Sequence, residues 1–415
     1  INEASSAVNV INALAPCVFV KGSDYADQEE DVTGMITEEQ KAVELAGGLV
    51  YFTSEMVMSS SEILNANFDI FRPEVKHWLA QFSNNFNIRE IVSQLSKLEN
   101  LKVLVIGEAI IDEYYFCEGL GKAAKDPIVA FRYCSQETHL GGSLAVANHL
   151  AGLCGEVGLI TLLGERERRE NFITDHLDLN IHTQFFSQNN APTIHKRRYV
   201  DNHTGGKLFE LYTLEEVPLD KQTEENLVNT LREEIVKYDM VVVADYGHGM
   251  MTTALRNELS SSDVFLALNT QANAGNRGFN TVSRYERANY ICLNGGEVML
   301  EVRAREGNMK DLVSQLSERL SCNKFTVTLG HAGMMHYDEA QGYFDAPALA
   351  LNIADRVGAG DAVLAATSPM VALGMPWEMV GLVGNLAGAE AVAEIGNKRV
   401  LKLGNIIKHI QSILK

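Results

Sequence analysis

A glycine-rich turn that ends in a carboxylate is the stretch of this sequence best suited to chemistry. It consists of Gly358, Ala359, Gly360 and Asp361, and it leads into an apolar run of helical character. The small residues let backbone N–H groups approach an anion, and a helix that begins at about Asp361 would point its positive dipole end the same way. Asp361 could then accept a proton from a substrate hydroxyl while the turn stabilises a phosphoryl group in transfer. We predict a phosphoryl-transfer centre here; the alternative is a tight turn with an Asp N-cap.

Two further clusters could bind the hydroxyls of a polyol. Asp112 closely follows the apolar run 103–106, and open α/β sheets bind ligands at the carboxyl ends of their strands. Gly141 and Gly142 would let a polyol approach the backbone, and a helical pattern follows them. The structural alternatives are a turn or cap carboxylate at Asp112 and a loop-to-helix junction at the two glycines.

Two clusters could bind a nucleotide and its metal ion. Asn294 and Glu297 follow a buried-strand pattern and could organise Mg²⁺, through waters, beside a polyphosphate. The same pair fits a capping box, which is compatible with metal binding. Thr328, Gly330 and Gly333 lie where a strand ends in a loop of small residues, and a nucleotide could lie against that backbone; the alternative is an ordinary turn.

Positive charge is concentrated at His195-Lys196-Arg197-Arg198 on a predicted strand. Lys and Arg alternate across the strand faces and could bind an anionic substrate, or they could protect a solvated sheet edge from aggregation. The histidines form neither H-E-x-x-H nor a Cys/His ligand pattern, and G-x-S-x-G is absent. Neither a structural zinc site nor serine hydrolysis is therefore predicted.

A parallel α/β domain is needed to position these residues. Near-continuous apolar runs, typical of strands buried on both faces, occur at 103–106, 157–161, 240–244, 264–268, 290–293 and 325–328. Helical patterns lie between most of them, which predicts a doubly wound α/β domain over residues 100–415. Residues 112–135 and 193–213 instead alternate and are rich in Tyr, Phe and Val, so we expect them to form a small antiparallel lid sheet.

Length and charge limit the class of protein. A chain of 415 residues is long for a single core, so two domains, or one large domain with an appendage, are expected. Its 35 basic and 54 acidic residues give a formal charge of −19, which argues against nucleic-acid binding or an anionic-membrane surface. The six cysteines are scattered, and no signal peptide or apolar run long enough to span a membrane occurs. We therefore expect a cytoplasmic protein with reduced thiols.

The N-terminal residues predict a separate α/β segment and a connector. Residues 8–22 combine a helix and a short strand, a helix follows at about 38–46, and a strand at 49–52. Ser59-Ser-Ser-Glu62 could cap a helix or contact a nucleotide. Residues 66–99 carry helical patterns and are predicted to connect the two domains.

Residues 1–65 resemble the C-terminal half of the cytidylyltransferase-type nucleotidyltransferase domain found with bacterial heptose kinases. The resemblance rests on Leu14-Ala-Pro-Cys-Val-Phe-Val-Lys-Gly-Ser-Asp-Tyr25, on Gly47-Gly48 and on Ser59-Ser-Ser61. The family's H-x-G-H histidine motif occurs nowhere in the chain, so we expect this partial domain to be catalytically inactive. Because the sequence begins at Ile1, an upstream portion could be missing.

Taken in order, the motifs of residues 100–415 resemble the ribokinase-like (PfkB) carbohydrate kinases, and within them the D-glycero-D-manno-heptose-7-phosphate kinase group. The resemblance implies ATP and Mg²⁺ as cofactors, Asp361 as the base, the glycine turn as the anion hole, and a possible homodimer through the lid. It implies the following binding residues: Asp112, Gly141 and Gly142 at the sugar; Lys196 and Arg198 near its phosphate end; Asn294 and Glu297 at Mg²⁺ and phosphate; Thr328, Gly330, Gly333 and Asn385 near ATP.

Several positions depart from the pattern of this group. Ala145 stands where an Asn is usual, and Asn269-Thr270 replaces Asp-Pro, whereas Asp245-Tyr-Gly-His-Gly249 is similar to the family's Asp-Tyr-Gly-Lys-Gly segment. Arg356 replaces the usual Thr beside the turn, where its guanidinium could add positive charge to the anion hole or reach a substrate phosphate. The identity of the sugar is therefore less constrained than the reaction class.

Three hypotheses follow from the sequence. The first is an ATP-dependent kinase of a sugar or sugar phosphate. The second is a nucleotide-binding regulatory scaffold without turnover, against which the intact motif residues argue. The third is the kinase half of a bifunctional kinase and nucleotidyltransferase.

Overall fold

The computed structural model describes residues 6–21, 36–52, 70–215 and 217–414. The chain divides into two compact units, Ile1–Ser93 together with Ile407–Lys415, and Gln94–Ile406. All the residues predicted for the kinase site belong to the second unit. The serine motif at 59–62 lies outside the described residues.

The strands, in chain order, are β1 (Val18–Lys21), β2 (Leu49–Phe52), β3 (Lys102–Gly107), β4 (Ala109–Lys122), β5 (Val129–Gly142), β6 (Glu156–Arg166), β7 (Ile181–Pro192), β8 (Ile194–Asp201), β9 (Lys207–Thr213), β10 (Met240–Asp245), β11 (Phe265–Thr270), β12 (Tyr290–Asn294), β13 (Lys324–Thr328), β14 (Met334–Asp338) and β15 (Gly342–Ala346).

The α-helices are α1 (Val8–Leu14), α2 (Ile36–Leu45), α3 (Pro73–Asn85), α4 (Ile88–Leu95), α5 (Ser143–Ala151), α6 (Glu170–His176), α7 (Lys221–Ile235), α8 (Thr253–Ser261), α9 (Gly295–Val302), α10 (Met309–Arg319), α11 (Ala359–Ala372), α12 (Trp377–Val392) and α13 (Leu403–Ile413).

A nine-stranded sheet in the order β15-β14-β13-β12-β11-β10-β3-β6-β7 forms the centre of the second unit. Its strands from β13 to β7 pair in parallel, and every residue of β10 is buried. All six predicted apolar runs lie in this sheet, because a strand covered on both faces must be apolar on both. The doubly wound α/β fold is thereby confirmed. The antiparallel hairpin β14–β15 at one edge was not predicted.

A second sheet, the lid, has the order β5-β4-β8-β9. The pairs β4–β5 and β8–β9 are antiparallel, as expected, but β4 and β8 run parallel. The expectation of a wholly antiparallel lid was therefore wrong. Between β5 and β8 the chain passes through α5, β6, α6 and β7. A parallel pair needs such a crossover, and β8 thus enters the lid in the same direction as β4.

The first unit contains a small parallel β-pair. β1 and β2 pair in parallel, with α2 between them in the chain. The described residues Ile11, Ala42 and Val43 form its buried apolar cluster. These elements match the helix and strand pattern predicted for residues 8–52.

Two other findings concern membrane-spanning helices and the cysteines. Within the described ranges, no helix has both the length and the apolar character needed to cross a membrane. All six cysteines carry free thiols.

Candidate active site

Asp361 lies in the first turn of α11, but it does not begin the helix. α11 starts at Ala359 with Gly358 as its N-cap, two residues before the predicted start. Gly358 has φ 83°, a left-handed conformation that glycine adopts without strain, and the chain turns into the helix there. The N–H groups of the first turn have no helical partner, so this end of α11 suits an anion.

The glycine turn is filled on one side and open on another. A Cβ at Gly358 would lie 1.8 Å from Oδ1 of Asn397, whereas a Cβ at Gly360 would meet no atom within 4 Å. Asn397 also donates from Nδ2 to the carbonyl oxygen of Leu140 at 3.0 Å. The turn is therefore packed at Gly358 and leaves room for a ligand at Gly360.

The Asp361 carboxylate is buried and accepts a hydrogen bond from Tyr246. The Tyr246 Oη to Asp361 Oδ1 distance is 2.7 Å. Burial, with a smaller contribution from the charge of Asp112, raises the pKa of Asp361 to about 6, although the Tyr246 hydrogen bond and Lys196 oppose the rise. Such a carboxyl is ionised at neutral pH and basic enough to take a proton in a transition state.

Lys196 and Arg198 lie on the same face of β8, and both are buried. The Arg198 guanidinium forms ion pairs with Asp112 and, at 2.9 Å, with Glu210. In the described part of the chain Lys196 has no ion-pair partner; its Nζ lies 5.3 Å from the ring centre of Tyr212 and 5.8 Å from that of Tyr246. Burial lowers the pKa of Lys196. The predicted basic cluster thus places one paired and one unpaired cation on the same face of β8.

The two glycines of the predicted polyol site lie at the end of β5, where Asp112 packs closely against Gly141. A Cβ at Gly141 would lie 2.1 Å from Asp112 Oδ2, and Gly142 has φ 60°. Both residues end β5, and α5 begins immediately afterwards at Ser143. Asp112 leaves no room for a side chain at Gly141, and the two glycines join a strand directly to a helix, where the structural alternative was a loop-to-helix junction.

A carboxylate that the sequence did not single out, Asp355, ties the lid to the glycine turn. It accepts hydrogen bonds from Tyr114 Oη at 3.0 Å and from Lys207 Nζ at 2.5 Å, one residue from β4 and one from β9. It also accepts the N–H groups of Arg356 at 2.6 Å and Val357 at 3.1 Å. We call Tyr114, Lys207 and Asp355 the lid clasp. The side chain of Arg356 is exposed.

Glu108 and His248 are further buried groups beside the site. Glu108 accepts the N–H groups of Tyr246 at 2.9 Å and His248 at 3.0 Å. Burial and the neighbouring Asp245 raise the pKa of Glu108 to about 7. Neither ring nitrogen of His248 has a hydrogen-bond partner among the described residues, and burial lowers its pKa to about 4. His248 is the position at which the sequence departs from a Lys.

Asn294 and Glu297 form the capping box at the start of α9. Asn294 Oδ1 accepts the Glu297 N–H at 2.9 Å, and Glu297 Oε2 accepts the Asn294 N–H at 2.8 Å. Glu297 Oε1 accepts the Ala272 N–H at 3.1 Å, and burial raises the pKa of this carboxyl to about 7. The described residues contain no cluster of three or more His, Cys, Asp or Glu that could hold a metal. Both carboxylate oxygens of Glu297 already accept backbone N–H groups.

The residues predicted near the nucleotide lie on β13, on the following turn and on α12. Thr328 ends β13, and Gly330 has φ 60° with open space where a Cβ would be. Gly333 faces the Ala346 carbonyl oxygen, which would be 2.1 Å from a Cβ. Asn385 is buried in α12, and its Nδ2 donates to the Gly381 carbonyl at 2.9 Å. Gly330 thus leaves room for a ligand, whereas Gly333 serves the packing of β14 on β15.

Tyr246, Glu108, Asp355 and Lys207 were missed as site residues. Tyr246 belongs to the segment Asp245–Gly249 noted in the sequence, and Asp355 directly precedes Arg356, but their partners lie far away in the chain. Tyr246 is 115 residues from Asp361, and Lys207 is 148 residues from Asp355. Spacing rules act within one element and give no signal over such separations.

A comparison with protein families finds that residues 100–401 match the family described as "pfkB family carbohydrate kinase". Among curated proteins, the chain is similar to "Bifunctional protein HldE" of Nitratiruptor sp., with 27% identity over 303 residues, 71% of this chain and 62% of the relative. It is also similar to the protein of the same name from Actinobacillus pleuropneumoniae, with 26% identity over 331 residues, 77% of this chain and 66% of the relative. The matched part spans about 60% of the length of the curated relatives.

Solved structures share the fold. The Escherichia coli phosphofructokinase-2 in complex with substrates and products covers 76% of this chain and all of its own, with 14% identity and a TM-score of 0.59. The Arabidopsis thaliana ribokinase complexed with ribose and ATP covers 75% of this chain and 99% of its own, with 15% identity and a TM-score of 0.55. At these identities the likeness concerns the fold alone.

Proposed function

Since the chain belongs to the pfkB family of carbohydrate kinases, we propose that it transfers the γ-phosphoryl group of ATP to a hydroxyl of a sugar or sugar phosphate. The observation that carries this proposal is the buried Asp361 carboxylate, held by Tyr246 in the first turn of α11 beside the open backbone of Gly360. A base and an anion site thus occur within one helical turn, as phosphoryl transfer requires.

Asp361 would act as the general base. In the proposed reaction the acceptor oxygen forms a bond to the γ-phosphorus, its proton passes to Asp361, and the bond between the γ-phosphorus and the bridging oxygen breaks to release ADP. The N–H groups of Ala359 and Gly360 would stabilise the charge on the transferred group. The burial of Asp361 would limit the access of water, which otherwise competes with the acceptor hydroxyl.

ATP and Mg²⁺ are the proposed cofactors. Asn294 and Glu297 would contact the hydrated ion, which when bound supplies positive charge against the polyphosphate. The raised pKa of Glu297 fits a carboxyl that becomes fully ionised only when a cation is near. Thr328, Gly330, Gly333 and Asn385 are proposed to line the nucleotide, with Gly330 offering the open backbone.

The acceptor is proposed to carry its own phosphate, as a heptose 7-phosphate does. Arg198 is already neutralised by Asp112 and Glu210, whereas Lys196 is buried without an ion-pair partner in the described part of the chain. Desolvation disfavours an unpaired ammonium, and an anionic ligand would offset that cost. Asp112, Gly141 and Gly142 would face the sugar hydroxyls. Arg356 is exposed, so it would contact a substrate phosphate only at the solvent-facing edge of the site.

The proposal includes an association of two chains through the lid. The face of the lid opposite Asp112 carries aromatic rings across all four strands, Tyr133, Tyr115, Tyr199 and Phe209, whose neighbouring centroids are 6.3, 5.2 and 4.4 Å apart. This half-exposed face suits a homodimer formed through the lid.

Because the curated relatives are named bifunctional, the chain would be the kinase part of such a protein, with residues 1–65 a partial nucleotidyltransferase-like domain and 66–99 a connector.

The test is a panel of hexoses, heptoses and their phosphates with ATP and Mg²⁺, in which ADP formation and the phosphorylated product are both measured. The proposal predicts transfer with a preference for phosphorylated acceptors. Lys196→Met should raise KM for those acceptors more than for the free sugars. ATP binding without transfer to any acceptor would instead favour the regulatory scaffold.

A further inference from the structure

Tyr246 is a buried residue outside the proposed catalytic set that forms a hydrogen bond with Asp361. Its hydroxyl is 2.7 Å from Asp361 Oδ1, and both side chains are buried, with 2% and 9% exposure. Among the described residues, no other side chain donates a hydrogen bond to Asp361. One carboxylate oxygen is therefore occupied by the phenol, and Oδ2 is left for another donor.

The position of the Tyr246 phenol is fixed from its backbone. The Tyr246 N–H donates to Glu108 Oε2 at 2.9 Å. Its carbonyl oxygen accepts from Nδ2 of Asn273 at 2.8 Å and from Nδ2 of Asn276 at 2.9 Å. These bonds hold the backbone of Tyr246, and its side chain is buried with 2% exposure, so the ring has little room to rotate and its O–H is directed at Asp361 before any ligand binds.

The hydrogen bond from Tyr246 favours the ionised form of Asp361, and several nearby charges also act on this carboxylate. The titratable groups that act on it come from several elements: Tyr246 after β10, Asp112 on β4, Lys196 on β8, Glu297 on α9 and Cys292 on β12. Burial and Asp112 favour the protonated acid, whereas Lys196 and the phenol favour the carboxylate. Within the described ranges, Tyr246 is the one group that favours the carboxylate by direct contact.

We propose that Tyr246 is a positioning residue for the general base: its O–H holds Oδ1 of Asp361, directs Oδ2 to the acceptor hydroxyl and favours the ionised carboxylate inside a buried site. Glu108 supports it by fixing the backbone of Tyr246. The inference rests on the proposed function in so far as Asp361 is the base.

The kinetic test compares Tyr246→Phe with Tyr290→Phe. Tyr290 is a matched control, because its buried hydroxyl also donates to α11, at 2.7 Å from Thr367 Oγ1, but does not contact Asp361. Tyr246→Phe should lower kcat about tenfold and move the acid limb of the kcat/KM profile upward by about one pH unit, with KM for ATP unchanged. Tyr290→Phe should leave the acid limb in place. Coincident acid limbs for wild type and Tyr246→Phe would overturn the inference.

A second variant reverses the sign of the effect. Replacing Tyr246 by 3-fluorotyrosine makes the phenol a stronger donor without removing it, so the acid limb should move downward. No movement in this variant would count against a direct hydrogen bond to the base, even if Tyr246→Phe proved too unstable to assay.

An infrared titration tests the same contact without turnover. The difference between each protein and its Asp361→Asn counterpart isolates the band of the protonated Asp361 carboxyl, and its midpoint should lie higher in Tyr246→Phe than in wild type. If wild type transfers no phosphate to any acceptor, the proposed function fails, yet the infrared midpoints still decide the role of Tyr246. Equal midpoints would refute it whether or not the chain is active.

Discussion

At the residue scale, the burial of Asp361, the proposed base, should lower the stability of the folded chain. The folded state holds the proton of this carboxyl more tightly than the unfolded state, because the pKa rises from 3.8 to about 6. The stability contributed by Asp361 therefore falls as pH rises from about 4 to about 6 and stays low above that window. Functional groups held in unfavourable surroundings commonly cost stability in this way.

Asp361→Asn is therefore expected to stabilise the chain at about pH 8. The gain should be of the order of 2–3 kcal/mol and should shrink toward about pH 3, where wild-type Asp361 is mostly protonated in both states. Urea unfolding of both proteins at the two pH values measures it. A gain that is equal at both pH values, or a loss at the higher one, would show that burial does not perturb this carboxyl.

Gly358→Ala is expected to damage the turn for two separable reasons. The left-handed φ of 83° strains any side chain, and the new Cβ would collide with Asn397 Oδ1. Gly374, beyond the other end of α11, has φ 65° and open space, so Gly374→Ala isolates the strain, worth about 1 kcal/mol. Gly358→Ala should lose clearly more stability in urea and at least about tenfold in phosphoryl transfer. Similar losses for both variants would mean that the Asn397 contact is unimportant.

At the element scale, the lid clasp links the lid sheet to the segment that precedes the base. Lys207 on β9 and Tyr114 on β4 both bond the Asp355 carboxylate, which also caps the backbone at Arg356 and Val357. The lid strands and the glycine turn are therefore held in one arrangement by a single buried carboxylate.

Lys207→Met should loosen the lid. KM for the acceptor is expected to rise several-fold while KM for ATP stays unchanged, because the clasp lies on the lid, where the sugar is proposed to bind. The matched control is Lys310→Met, which breaks an exposed Lys310–Asp345 pair away from the lid and should have almost no effect. Steady-state kinetics on the three proteins decide it, and equal KM values would dismiss the clasp as a positioning device.

How far the sequence predicts structure also differs between elements. Strands of the main sheet were predictable because burial on both faces leaves a continuous apolar run, as in Val241–Val243 of β10. The parallel pairing of β4 with β8 was not, since alternation reveals a strand but not its direction. The glycine turn and Asp361 were recognisable as one short motif, whereas Tyr246 and Lys207 become site residues only through contacts between distant segments.

At the scale of the whole molecule, the proposed kinase site lies in one of the two compact units. The residues proposed for the kinase site belong to Gln94–Ile406, and the family match covers 100–401. The chain has no H-x-G-H motif, so nucleotidyl transfer is not expected from residues 1–65 as they stand.

A homodimer through the lid predicts a solution mass of about twice 45.7 kDa. Phe209→Glu should convert it to monomer, since the ring ends the aromatic row on the outer lid face. Leu179→Glu, at a fully exposed apolar residue outside the lid, is the control and should leave the mass unchanged. Light scattering after size-exclusion chromatography gives the answer, and a wild-type monomer would exclude this interface.

The most direct test of the central claim is the rate of γ-phosphoryl transfer by wild type and by Asp361→Asn, measured with the best acceptor at saturating ATP and Mg²⁺. Asn can still accept the Tyr246 hydrogen bond but cannot take a proton, so the rate should fall by about 10²–10⁴ while ATP binds as before. If Asp361→Asn transferred phosphate at close to the wild-type rate, Asp361 would not be the base and the proposed mechanism would be wrong.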